Sequence, residues 1–166
     1  RTFHGFGVHG CTAIAALTAQ NPAGVAAIVP VDGAFLASQL DAIFACYEIR
    51  AVKTGMLAAP ELIEAAADRL AARPAIPVVV DPVMVATSGA RLLEPRAVET
   101  LSRRLIPRAA LLTPNRPEAE ALAGRSAAGL AGAAAAARVL ADRYGCAVLV
   151  KGGHDPDQPA ADLLCI

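Results

Sequence analysis

Val78-Val79-Val80-Asp81-Pro82-Val83-Met84-Val85-Ala86-Thr87-Ser88-Gly89-Ala90 is the stretch whose reading decides the fold. Three consecutive β-branched residues without polar alternation predict a strand covered on both faces, as in a parallel sheet. Pro82 has no N–H to give to a ladder, so the strand should stop near Asp81. A carboxylate then stands at the carboxyl end of a buried strand, where open α/β sheets bind ligands. The competing reading is that Asp81 only caps a turn. Thr87-Ser88-Gly89 reads as a loop beside it.

Working outward, the chain alternates strand and helix. Val25 to Val31 reads as a short strand, and Asp32 fits an N-cap for a helix with Phe35, Leu36, Leu40, Ile43 and Phe44 along one face. Ile49 to Met56 predicts a strand ending in Lys53-Thr54-Gly55, and Pro60 with Glu61 opens a helix through about Ala72. Beyond the opening stretch, a helix is expected from about Pro95 to Arg104, and Ala109 to Thr113 forms a buried strand. Asn115 caps a short helix through Leu122. An alanine-rich helix spans roughly Gly129 to Tyr144, with Leu130, Val139 and Leu140 as its packing residues. Cys146 to Val150 is a last buried strand before Lys151-Gly152-Gly153-His154, and the final residues could begin a hairpin. This order predicts one α/β domain over residues 1–166, with a mostly parallel sheet and helices on both faces.

The 166 residues are 55% hydrophobic, enough for a substantial core, and the formal net charge is zero. Neutrality without a basic stripe argues against a nucleic-acid binder. No apolar run reaches the roughly 18 residues of a membrane helix. Cys11, Cys46, Cys146 and Cys165 lie far apart and show no zinc spacing, so reduced thiols in a cytoplasmic protein are expected. Gly5-Phe6-Gly7-Val8-His9-Gly10 matches G-x-G-x-x-G, and Asp32 follows it at a suitable distance. Only four residues precede the motif, however, so a glycine-rich turn or flap is the better reading than a dinucleotide fingerprint.

If the strands are parallel, their polar ends share one edge. Gln20 and Asn21, Lys53 and Thr54, Asp81, Thr113, Asn115 with Glu118, and Lys151 would then rim a ligand cleft. The residue types favour phosphate chemistry. Lys151 before two glycines offers an ammonium and an open backbone approach to an anionic oxygen. Asn115 and Glu118, three apart on a helix, can hold a hydrated magnesium, and Asp81 could share that role. Each has a plainer alternative: a solvated lysine, a pure N-cap, an acid favoured by the helix dipole. No Walker-type P-loop and no G-x-S-x-G elbow is present.

The segments Leu17-Thr18-Ala19-Gln20-Asn21, Gln39-Leu40-Asp41-Ala42, Val52-Lys53-Thr54-Gly55-Met56-Leu57, Val80-Asp81-Pro82-Val83-Met84-Val85-Ala86, Leu112-Thr113-Pro114-Asn115-Arg116-Pro117-Glu118-Ala119-Glu120 and Val150-Lys151-Gly152-Gly153-His154 together resemble the hydroxymethylpyrimidine phosphate kinase family of thiamine biosynthesis, in the ribokinase-like superfamily. The resemblance implies a three-layer α/β/α fold and an ATP- and Mg2+-dependent kinase. Its substrates would be 4-amino-5-hydroxymethyl-2-methylpyrimidine and its monophosphate. It also implies a homodimer when full length. Carried over, Gln20 and Met56 would bind the pyrimidine. Asp81, Asn115 and Lys151 would lie at the ATP phosphates, and Asp81 and Glu118 at the metal. The Gly5–Gly10 segment would belong to a flap over the substrate. Two departures accompany this. The family's opening segment, which gives an aspartate to the pyrimidine, would precede Arg1. Its glycine-threonine-glycine-cysteine anion hole, with the catalytic residue, is not found by Ile166. The chain therefore reads as a central part with no catalytic residue of its own, and it is expected to be inactive alone. A pyridoxal kinase of the same family, or a non-catalytic module binding a pyrimidine or nucleotide, are the alternative readings.

Overall fold

The structure is a computed structural model that describes residues 2–22, 24–84, 93–152 and 161–166. The expected loop Thr87-Ser88-Gly89, together with Gly153 and His154, lies outside the described residues.

A four-residue helix α1 (Thr2–Gly5) opens the chain, followed by strands β1 (Ala16–Asn21) and β2 (Gly24–Pro30). These two strands pair antiparallel with each other in a sheet of their own. Gly5 ends α1, whereas a dinucleotide fingerprint needs its glycines between a strand and the start of a helix. The turn reading of Gly5–Gly10 therefore holds, with Gly7 at φ 70° in the left-handed region.

Helix α2 (Gly33–Cys46) begins where Asp32 accepts hydrogen bonds from the N–H groups of Ala34 and Phe35, the expected N-cap. Leu36 is buried and Leu40 and Phe44 pack against the core, but Phe35 faces outward. Strand β3 (Val52–Thr54) and helix α3 (Pro60–Ala71) follow. In α3, Pro60 sits in the first turn and Leu62, Ile63, Ala66, Ala67 and Leu70 form its buried stripe. Arg69 donates to both carboxylate oxygens of Asp41, tying α3 to α2. Strand β4 is Val78–Val80, and helix α4 (Pro95–Thr100) runs on through a π-helical turn at Leu101–Leu105. Pro107 lacks an amide hydrogen and the run ends in a 3-10 turn there. Strand β5 (Ala109–Leu112), helices α5 (Arg116–Ala123) and α6 (Gly129–Tyr144), and strands β6 (Ala147–Val150) and β7 (Leu163–Cys165) complete the chain.

The main sheet has the order β3-β4-β5-β6-β7, with the first four strands parallel and β7 antiparallel to β6. The final residues, read as able to begin a hairpin, form β7 and pair back onto β6. Right-handed crossovers between strands that step in one direction put α3, α4 and the α5–α6 pair on one face. The burial agrees: Val78, Val80, Leu112, Val148 and Val150 are buried, while Val79, Leu111 and Leu149 between them are half-buried. The expected α/β architecture, a mostly parallel central sheet packed with helices, is present. Three valines in a row state only that the strand is buried, and the order of the strands decides which side the helices take.

The alanine-rich helix brings a correction. Its buried stripe is Ala133, Ala136, Ala137 and Leu140, whereas Leu130 is 55% exposed. Small side chains let α6 lie close on β6 and β7, so the low-complexity centre is the packing face. Ala136→Leu should therefore cost about 1–3 kcal/mol of stability in urea denaturation by overpacking. Leu130→Ala should stay within about 0.5 kcal/mol of the parent.

Candidate functional site

Because β3, β4, β5 and β6 are parallel, their carboxyl ends meet at one edge. Asp81 follows β4 there, and its N–H donates to the Thr54 carbonyl of β3 at 3.3 Å. Lys53 Nζ reaches Asp81 Oδ2 at 3.2 Å, and Lys151 Nζ reaches Oδ1 at 2.9 Å. One carboxylate is thus shared by two ammonium groups, from strands on either side of it. Asp81 is the most enclosed of the three, with 17% of its side chain exposed against 50% for Lys53 and 34% for Lys151. The pairing rejects the reading of Asp81 as a mere turn cap.

Asn115 and Lys151 form a parallel bridge beyond the ends of β5 and β6, and the Lys151 N–H donates to the Pro114 carbonyl at 2.8 Å. Asn115 Oδ1 caps α5 by accepting from the Glu118 N–H, and Glu118 Oε2 accepts from the Asn115 N–H in return. The other Glu118 oxygen, Oε1, accepts from the Met84 N–H at 2.9 Å. Glu118 is only 1% exposed, and both its oxygens are satisfied by backbone amides. It fastens the chain after Asp81 to the start of α5. Between them Val83 has φ 40°, a left-handed conformation that costs a β-branched residue about 1–3 kcal/mol and persists only when its surroundings hold it. Met84, gripped through its N–H by Glu118 and through its carbonyl by the Leu93 N–H, supplies that hold.

Two buried threonines border the same edge. Thr54 Oγ1 ends β3 and Thr113 Oγ1 follows β5, and neither hydroxyl has a partner among the described residues. Buried hydroxyls are ordinarily paired, so these mark polar capacity left for something outside the described chain.

Among the expected site residues, Asp81, Asn115, Lys151 and Glu118 come together. Gln20 does not sit on this edge. It lies exposed on β1, in the separate two-stranded sheet, and the strand-end placement expected for Gln20 and Asn21 is corrected. Met56 is half-buried just after β3. The open approach expected at Gly152 is also absent. A Cβ there would come within 2.7 Å of the Ala161 carbonyl carbon, and the Gly152 N–H is spent on Asp162. Glycine at this position serves the β6–β7 hairpin. The sequence named Lys53 as a strand-end polar residue without assigning it a site role. Its signals were its place near the end of a strand and its membership of the Val52-Lys53-Thr54-Gly55-Met56-Leu57 segment.

No group of three or more metal-ligating acids, histidines or cysteines occurs among the described residues. The described carboxylates at this edge are Asp81, shared by lysines, and Glu118, buried on backbone amides. That set suits Mg2+ held chiefly by phosphate oxygens and water, which needs only one or two protein carboxylates, and does not suit a protein-caged ion. The four cysteines are free thiols; Cys46 is exposed, and burial pushes the Cys146 thiol up from its ordinary value.

A family model described as phosphomethylpyrimidine kinase matches residues 1–166. The hydroxymethylpyrimidine/phosphomethylpyrimidine kinase of Salmonella typhimurium is 43% identical, over 99% of this chain and 62% of its own length. The chain thus spans about three-fifths of that relative. The solved phosphomethylpyrimidine kinase of Clostridium difficile superposes with a TM-score of 0.89 at 38% identity, covering 99% of this chain and 71% of that one. The Staphylococcus aureus pyridoxal kinase, solved in complex with AMP-PCP and pyridoxal, gives 0.85 at 29% identity, covering 99% and 59%.

Glu118→Gln should lower stability by about 1–3 kcal/mol in chemical denaturation, because one of the two backbone N–H groups that meet a carboxylate oxygen in the parent would face the amide NH2, another donor. Thr113→Val should leave stability level or raise it by about 1 kcal/mol, since it removes a buried hydroxyl that has no partner among the described residues.

Proposed function

The chain belongs to the phosphomethylpyrimidine kinase family, and from that premise we propose that it transfers the terminal phosphoryl group of ATP to 4-amino-5-hydroxymethyl-2-methylpyrimidine and to its monophosphate, in thiamine biosynthesis. The observation that carries this reading is the Lys53–Asp81–Lys151 row at the carboxyl edge of parallel strands, with Asn115 bridged to Lys151. Phosphoryl transfer is mostly positioning and charge stabilisation, and a fixed ammonium beside an orienting amide supplies both.

In this reading Lys151 and Asn115 bind the ATP phosphates, and Lys151 offsets negative charge growing on the leaving oxygen. Asp81 orients the Lys151 ammonium, and with Glu118 it provides the carboxylates near Mg2+. Mg2+, when bound, would neutralise phosphate charge. Glu118 acts from behind the site, since its oxygens already hold Met84 and Asn115. Gln20 hydrogen-bonds the pyrimidine and Met56 packs against its ring. None of these residues is assigned the removal of the alcohol proton. A pyridoxal kinase is the second reading, supported by the fold similarity at 29% identity.

A homodimer is part of the proposal. Leu17 and Val29 on β1 and β2, with Phe6 before them, are exposed large apolar side chains, of the kind that interfaces cover. A cytoplasmic location fits the free thiols. Among the described residues no helix is long and apolar enough to cross a membrane.

ADP release by the full-length protein should appear with the pyrimidine alcohol and its monophosphate and be much weaker with pyridoxal. Turnover of pyridoxal alone would replace the substrate assignment, and turnover of none would remove the kinase reading. Lys151→Ala should weaken ATP binding about 10- to 100-fold, the loss of one or two charge-assisted contacts. Gln20→Ala should weaken pyrimidine binding about 3- to 10-fold, measured by calorimetry.

A further inference from the structure

The geometry points to Lys53 as the residue that selects the phosphorylated acceptor: its ammonium receives the phosphate monoester of the pyrimidine for the second transfer. This rests on the proposed kinase reading and goes beyond it by assigning the two transfers different binding needs. Asp81 already has a closer and more enclosed partner in Lys151, at 2.9 Å with 34% of the lysine side chain exposed. Lys53, at 3.2 Å and half exposed, is a second cation on the same carboxylate. A structural ion pair needs one lysine. The second leaves the row with a net positive charge, and the two ammonium groups lie within about a Debye length of each other, where like charges repel. Among the described residues Lys53 also retains donor capacity: two of its three N–H bonds are directed to Asp81 and to the Thr54 carbonyl. Its direction is specific too. Lys53 and Met56 belong to one segment at the end of β3, whereas Lys151 stands just beyond β6, bridged to Asn115. Asp81 therefore divides the edge into a side next to the proposed pyrimidine and a side next to the nucleotide. Between Lys53 and Met56, an added Cβ at Gly55 would meet nothing within 4 Å, so that backbone is open to a ligand.

The chemistry of the two acceptors differs at this point. In the first transfer a neutral hydroxyl oxygen bonds to the γ-phosphorus, the bond from that phosphorus to the bridging oxygen breaks, ADP leaves with the electron pair, and the hydroxyl proton passes to solvent water. In the second transfer a phosphate monoester dianion makes the same bond and releases ADP in the same way, with no proton to lose. The dianion must approach a second, highly charged phosphate group beside the Asp81 carboxylate. A cation on the pyrimidine side is needed for that acceptor and has little to do for the alcohol.

Calorimetric titration of the full-length protein with the pyrimidine alcohol and with its monophosphate tests this. Lys53→Ala should raise the dissociation constant of the monophosphate at least tenfold and shift that of the alcohol less than threefold, with Lys53→Arg recovering most of the difference. Lys53→Met, which keeps the aliphatic stem, should behave as Lys53→Ala does, and thermal melting checks that each variant is folded. Equal weakening of both ligands, or of neither, would overturn the assignment while leaving the kinase reading intact. A parent protein that binds neither pyrimidine would instead overturn both.

Discussion

Parallel strands can be joined only by crossovers that carry the chain back to the edge where it began, so their carboxyl ends accumulate on the opposite edge. In this chain that constraint gathers Lys53, Asp81, Asn115 and Lys151, which are spread over almost 100 positions of sequence. Asp81 cannot be the centre of the row unless β3 and β6 run the same way as β4. A single antiparallel strand among them would send its lysine to the far end of the sheet. The chemistry of the site is a consequence of strand direction before it is a consequence of any one side chain.

The carboxylates show how position changes the meaning of one functional group. Asp81 and Glu118 are both near the edge, yet Asp81 is held by two ammonium groups and Glu118 by two backbone amides. The first is part of the charged surface that a phosphate meets. The second is a clamp that keeps the strained turn at Val83 in place and fixes the start of α5 against it. Losing the clamp would loosen Asp81 indirectly, because the segment between the strand end and Met84 is anchored at Met84. A rigid frame under the polar groups is what phosphoryl transfer requires, since misplaced charge stabilises little.

The elements were legible where local chemistry leaves few choices. Asp32 as N-cap, Pro60 opening α3 and Asn115 capping α5 are all decided by backbone groups within a few residues. The site was half legible for the same reason: strand-end polar residues can be found in a sequence, but not the strand each one faces. Gln20 illustrates the failure. It ends an apolar strand like the others, and nothing local distinguishes a strand that joins the main sheet from one that pairs with its sequence neighbour. The alanine-rich helix illustrates another, since a leucine looks like the packing residue until the close approach of α6 to β6 and β7 favours alanine.

By itself, then, the sequence determined the succession of strands and helices, the caps that bound the helices, and the residue types of a phosphate-binding edge. Those properties depend on short-range sterics and on hydrogen bonds within one turn. Only the tertiary structure decided that two lysines share Asp81, that Glu118 is turned inward onto Met84, that the threonine hydroxyls at the edge are buried without partners among the described residues, and that Gly152 is spent on a hairpin. Each of these is set by which strands are neighbours and in what register, and register is fixed by packing between segments far apart in the chain, which no local pattern encodes.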